Sequence, residues 1–349
     1  MKYDVILAGQ GLAGSVLALT LIRSGYHVLV IDDPSLSSCS RVAAGIWNPV
    51  VFKRLTRSWL ADEVVPELVD FYEQASKQLD VPLIHARNIL KPFTELQEQQ
   101  LWIKKAESGN AFLHPEVFDN LALKALKVTG PYSYVKQAGN LDVAAFLEHT
   151  RSYLKQRNAW LGERFDHQKV LFEENRVIYK DLEASGLVFC EGHLLNNNPF
   201  FNFIPLKPAK GEVLTIRCED LELKNDILNK GIFVMPLGNN YYKVGATYDW
   251  TDRSDLPTET ARQWLSDKLS NILRVPFEIT AHEAGVRPSV IDRRPVVGKH
   301  PTLPGCFIFN GFGTKAVMLA PFFARQFTDF LRLQTPLHPE VDPARFYQV

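Results

Sequence analysis

Three glycines spaced as Gly9-Gln10-Gly11-Leu12-Ala13-Gly14, with Asp32 closing the next apolar run, are the residues of this chain most plainly arranged for chemistry. Gly9 allows a tight turn, Gly11 lets backbone approach a pyrophosphate, and Gly14 lets a helix pack closely on its strand. Asp32 would accept hydrogen bonds from a ribose, with Asp33 as a competitor for that role. Together they imply a bound dinucleotide. Two further groups lie far along the chain. Arg287, in Gly285-Val286-Arg287-Pro288, has the shape to grip a carboxylate through two parallel hydrogen bonds. Lys315 follows the turn Asn310-Gly311-Phe312-Gly313-Thr314, where a helix N-terminus would stabilise negative charge. Taken alone, the arginine also reads as a surface or interdomain ion pair, and the turn as an ordinary surface turn with a solvated lysine.

These residues need elements to hold them. Residues 3–8 are apolar and partly β-branched, the pattern of a strand buried on both faces of a parallel sheet. Residues 15–24 read as a helix stopped by Gly25, and residues 26–31 as the second strand. Asp4 and Gln10 interrupt the ends of this apolar stretch, which argues against a signal peptide or membrane span. Further helices are expected over 60–79, with Pro66 near its start or at a kink, from Asn140-Leu141-Asp142 onward, over 258–273, and over 316–331 with an early interruption at Pro321. Strands are expected at 81–90, 170–172, 177–179, 187–190, 277–285 and 306–309. Between residues 205 and 247 short β-rich segments surround the hairpin signal Gly238-Asn239-Asn240, which implies an antiparallel sheet.

Composition narrows the class. At 349 residues the chain exceeds one typical domain. Lysine plus arginine, 39, equals aspartate plus glutamate, 39, so no global basic field exists to favour nucleic acid. Cys39, Cys190, Cys218 and Cys306 show no C-x-x-C spacing, which argues against structural zinc and a disulfide framework and fits a reducing cytoplasm. No metal site is expected.

With these motifs the chain resembles the D-amino-acid oxidase superfamily of flavoproteins, most of all glycine oxidase and related amine-oxidising members. The resemblance rests on Ala43-Ala44-Gly45-Ile46 after Ser40, on Gly285-Val286-Arg287-Pro288 with Asp292, Pro295 and Gly298, on residues 310–321, and on Lys210-Gly211-Glu212 and Val244-Gly245-Ala246-Thr247. Residues 51–139 match poorly. The implied fold is α/β, a Rossmann-like FAD-binding domain with an interleaved α+β substrate domain built on an antiparallel sheet. The expected division is 1–80, 136–200 and 285–349 for FAD, and 81–135 and 201–284 for substrate.

Carried over residue by residue, the resemblance adds Leu12 and Ala13 to the three glycines at the pyrophosphate and keeps Asp32 and Asp33 at the ribose. Cys39 and Ser40 would lie near phosphate or ribityl oxygens, and Ala44, Gly45 and Ile46 beside the isoalloxazine. Val170 would meet adenine through its backbone. Gly311, Phe312, Gly313, Thr314, Lys315, Ala316, Val317 and Met318 would hold the pyrimidine edge, where backbone amides meet the charge of a reduced flavin. Arg287 would bind the substrate carboxylate, and Lys315 would assist oxygen by its charge. Phe233 stands where D-amino-acid oxidases use a tyrosine near the substrate. No cysteine stands near the Arg287 to Lys315 segment in the pattern of covalent sarcosine oxidases, so the FAD is expected to be non-covalent. The implied reaction is hydride transfer from a carbon bearing an amine to flavin N5, with oxygen or an undetermined acceptor to follow. A 2-hydroxy-acid dehydrogenase, an oxidase of a larger amine such as a modified tRNA uridine side chain, and a flavin-binding module without activity are the competing expectations. The tRNA alternative would need a basic stripe of Lys53, Arg54, Arg57, Lys104 and Lys105 beside the pocket.

Overall fold

A computed structural model describes residues 2–36, 38–119, 123–127 and 130–347. Its first sheet grows from the strand Lys2–Ala8, whose alternate residues go to different sides: Val5 and Leu7 join one core, Ile6 and Ala8 another. A strand buried on both faces is what its unbroken apolar run encodes. Parallel pairing carries the sheet from Cys306–Asn310 through Leu182–Phe189, Lys2–Ala8 and Val28–Ile31 to Trp160–Leu161. Val296–Lys299 adds an antiparallel edge, and the hairpin strands Val170–Phe172 and Val177–Tyr179 branch from Leu182–Phe189. Helices Leu12–Arg23, Ala61–Leu79, Val143–Gln156 and Ala316–Leu333 pack together on one side.

The second sheet has the order Glu278–Arg287, Ala209–Arg217, Tyr241–Gly245, Ile232–Gly238, Ile227–Lys230, Ile84–Pro92, Tyr132–Leu141 and Ile46–Trp47. Its pairings are antiparallel except between Ile227–Lys230 and Ile84–Pro92. Asn239 and Asn240 take positive φ in the expected hairpin turn. Helix Glu259–Ser270, capped by Thr258 on the Ala261 amide, lays Leu265 and Leu269 on the outer face against Leu214, Val234 and Val244. The opposite face looks toward the first sheet.

Expectations for two helices are corrected. The first helix begins at Leu12 rather than residue 15, because Gly11 already serves as its N-cap. Strand Tyr132–Leu141 runs across residues 135/136, and Glu278–Arg287 across 284/285. Ile46–Trp47 pairs in the second sheet although it lies within residues 1–80. Helix Ala316–Leu333 runs unbroken through Pro321. The proline leaves the Val317 carbonyl without its usual amide donor, and the buried Tyr72 hydroxyl donates to that carbonyl instead at 3.2 Å.

Candidate active site

One cavity of about 1300 Å³ lies between the carboxyl ends of the parallel strands and the inner face of the second sheet. That is larger than the roughly 300–1,000 Å³ of ordinary small-ligand pockets. At the end formed by the first strand, Gly9 has φ +106°, and a Cβ there would stand 2.7 Å from the Cys190 carbonyl oxygen. A Cβ on Gly14 would meet the Gly9 oxygen at 2.0 Å, so this glycine brings helix against turn without lining the cavity. Helix Leu12–Arg23 opens on the cavity with no acid in its first turn, and the Leu12 amide donates to Ser40 Oγ at 3.1 Å. Asp32 accepts from the Gln10 amide at 2.9 Å. Asp33 is half-buried and turned to the Ser35 amide and hydroxyl, whose hydrogen bonds hold its carboxyl below the usual range.

Arg287 lines the cavity from the second sheet. Its Nη1 donates to the carbonyls of Lys210 at 3.2 Å and Thr247 at 3.3 Å, and its guanidinium lies over Gly211, where a Cβ would come within 1.8 Å of Nη2. Tyr248 stacks on it, with the ring centre 4.4 Å from Cζ. No carboxylate pairs with Arg287 among the described residues, and burial works against its charge. A desolvated guanidinium facing a cavity without a counter-ion is a site for an anion. Phe233, Val213 and Gly245 continue the same sheet face, joined by the register Phe233 to Gly245 to Val213.

The structure brings Gly9, Gly11, Leu12, Ala13, Asp32, Asp33, Cys39, Ser40, Ala44, Gly45, Ile46, Phe233, Arg287, Phe312, Gly313, Thr314, Ala316 and Val317 to this one cavity. It does not bring Val170, Gly311, Lys315 or Met318 to its wall. Val170 is buried in the hairpin pairing with Tyr179, and the lining there is supplied by residues 164–168. Met318 is committed to the helix core. The Lys315 ammonium turns away, donating to the Asn48 carbonyl at 2.9 Å and Ser58 Oγ at 3.1 Å, and burial pushes its pKa down to about 8. In this arrangement Lys315 ties two segments of the chain together. Sequence reasoning missed Gln10, Glu191, His167 and Tyr248 on the wall. Two of them left a signal, Gln10 inside the Gly9-Gln10-Gly11 turn and Tyr248 as an aromatic next to the Gly245-Ala246-Thr247 motif. His167 Nε2 lies 2.7 Å from Glu191 Oε1, a pairing of distant segments that no local pattern announces.

A cleft at the carboxyl ends of a parallel sheet, lined by a glycine turn and helix start and by an arginine with no carboxylate partner among the described residues, defines a dinucleotide-dependent enzyme. The family model for FAD dependent oxidoreductases, the DAO family, matches residues 4–330, and the chain belongs to that family. It is an FAD-dependent oxidoreductase, and the glycine turn, a helix start with no acid in its first turn and the size of the cavity fit FAD. The chain is 29% identical to glycine oxidase of Pseudomonas putida over 374 residues, covering 99% of this chain and 98% of that protein. It is 23% identical over 315 residues to the tRNA 5-methylaminomethyl-2-thiouridine biosynthesis bifunctional protein MnmC of Legionella pneumophila, covering 85% of this chain and 45% of that protein. The crystal structure of glycine oxidase from Geobacillus kaustophilus shares the fold, with a TM-score of 0.80 at 18% identity over 99% of this chain and 98% of that one. Among the described residues no helix is long and apolar enough to cross a membrane, and no cluster of His, Cys, Asp or Glu could hold a metal.

Proposed function

We propose that this enzyme oxidises the C–N bond of a small amine or amino acid bearing a carboxylate, in the manner of glycine and D-amino-acid oxidases. The observation that carries the reading is Arg287, a guanidinium with no carboxylate partner among the described residues, held by the Lys210 and Thr247 carbonyls on the wall of the cavity. FAD, when bound, supplies the two-electron acceptor for a hydride leaving the carbon that bears the amine. Gly9, Gly11, Leu12 and Ala13 would hold its pyrophosphate, Asp32 the ribose, and the helix start from Phe312 to Val317 the pyrimidine edge. Arg287 fixes the substrate carboxylate, and Tyr248 and Phe233 bound the space around the reacting carbon. Orientation of a neutral amine supplies most of the catalysis, so turnover rises with pH as the amine loses its proton. The two-part division of the chain follows from this, with the first sheet serving the cofactor and the second the substrate.

Anaerobic titration with glycine, sarcosine, D- and L-amino acids and small hydroxy acids tests the reading. Bleaching of the flavin band by an amino acid, lost in Arg287→Ala, is the expected result. Bleaching by hydroxy acids alone would instead make the enzyme a 2-hydroxy-acid dehydrogenase, and a flavin that no donor reduces would leave a binding module. The likeness to MnmC favours a second reading, a larger amine on a tRNA uridine. The exposed Lys53, Arg54 and Lys104 would then face the nucleic acid, whereas Arg57 is paired with Asp62 at 2.6 Å. Retardation of tRNA that weakens with salt would support it.

A further inference from the structure

Asp32 is held from behind by a residue that belongs to no motif. Arg151, on the helix Val143–Gln156, places Nη2 3.8 Å from Asp32 Oδ2 and donates from Nε to Gln10 Oε1 at 2.8 Å. Gln10, itself only 3% exposed, donates from Nε2 to the Leu147 carbonyl of the same helix at 2.9 Å and from its amide to Asp32 Oδ1 at 2.9 Å. The Arg151 guanidinium also lies 5.7 Å from the centre of the Trp160 ring, and Trp160 pairs with Val30 just before Asp32. Gln10 and Asp32 line the cavity, and Arg151 does not. The two carboxylate oxygens are thus oriented by separate partners, while a carboxylate has about four acceptor positions in all. Lone pairs remain for a diol on the cavity side.

We propose that Arg151, acting through Gln10 and Asp32, is a positioning residue that sets the acid for the adenosine ribose of FAD. The physical reason is that a free aspartate samples rotamers, whereas one fixed by an arginine and a backbone amide presents its remaining lone pairs in one direction. The inference rests on the placement of the ribose at Asp32. Its signature is selective: FAD carries that ribose, and FMN does not.

The test is a fluorescence titration of the flavin-stripped full chain with FAD and with FMN. Arg151→Met is expected to weaken FAD about tenfold and FMN less than about twofold, the loss of one charge-assisted contact. Arg151→Lys, which keeps the charge but loses the fork, is expected to give a smaller loss, also confined to FAD. If Arg151→Met does not fold, Arg151→Lys alone decides. An unchanged ratio of FAD to FMN affinity in the Arg151 variants overturns the proposal. Asp32→Asn then shows which part failed: a selective loss there leaves the ribose at Asp32 and removes only the role of Arg151, and no selective loss removes the ribose placement itself.

Discussion

The guanidinium of Arg287 depends on a residue that has no side chain. Gly211 forms the floor beneath it, and a methyl group there would occupy the space of Nη2 at 1.8 Å. Because the obstructing atoms are the far end of a flexible side chain, Gly211→Ala is expected to fold normally and to displace the guanidinium. The Michaelis constant for a carboxylate substrate should rise roughly tenfold or more, with a much smaller change for an amine lacking the carboxylate. Steady-state kinetics on the two kinds of donor check this, and equal effects on both would disprove it. The sequence marks Arg287 and Gly211 as members of two separate motifs. Their stacking is not legible there, because it depends on the register in which Gly211 pairs with Gly285 and Ala209 with Arg287.

At the scale of elements, helix Ala316–Leu333 shows how a local rule yields to its neighbours. A proline at the sixth position should break or bend it. Instead the Val317 carbonyl accepts from Tyr72 on helix Ala61–Leu79, so the defect becomes a contact between two helices. Tyr72→Phe keeps the ring and its edge contacts with Phe71 and Phe146 but leaves a buried carbonyl unsatisfied. A loss of about 1–2 kcal/mol in denaturant unfolding is expected. The apolar period of both helices was legible, as was the Asp142 cap, which accepts from the Ala145 amide at 3.0 Å. Strand Tyr132–Leu141 was not, since its polar residues Ser133, Lys136, Gln137 and Asn140 mask the alternation that marks a strand.

For the molecule as a whole, Lys315 ties the start of the last long helix to the segment from Asn48 to Ser58. No carboxylate faces its buried ammonium among the described residues, and the folded pKa is pushed down to about 8. An unfolded lysine titrates near about 10.4, so between these values the unfolded chain holds more protons and stability rises with pH. The charged form therefore costs stability below pH 8, and the cost is relieved as the group is neutralised. Raising the pH from about 8 to about 10.4 should stabilise the protein by about 1–3 kcal/mol more than it stabilises Lys315→Met. Urea midpoints measured for both across that range decide the matter, and parallel curves would refute it.

The first strand, glycine turn, helix and acid were legible in the sequence because those signals are local: apolar run, glycine spacing and acid follow one another within residues 3–32. The family was legible there too, and its model matches residues 4–330. The tertiary structure alone decided which of these residues share a cavity. It turned Lys315 inward to two oxygens of a remote segment, buried Val170 in a hairpin and set Arg151 behind Asp32. Each of those outcomes depends on partners far apart in the chain, whose meeting is fixed by sheet register and helix packing rather than by neighbouring residues.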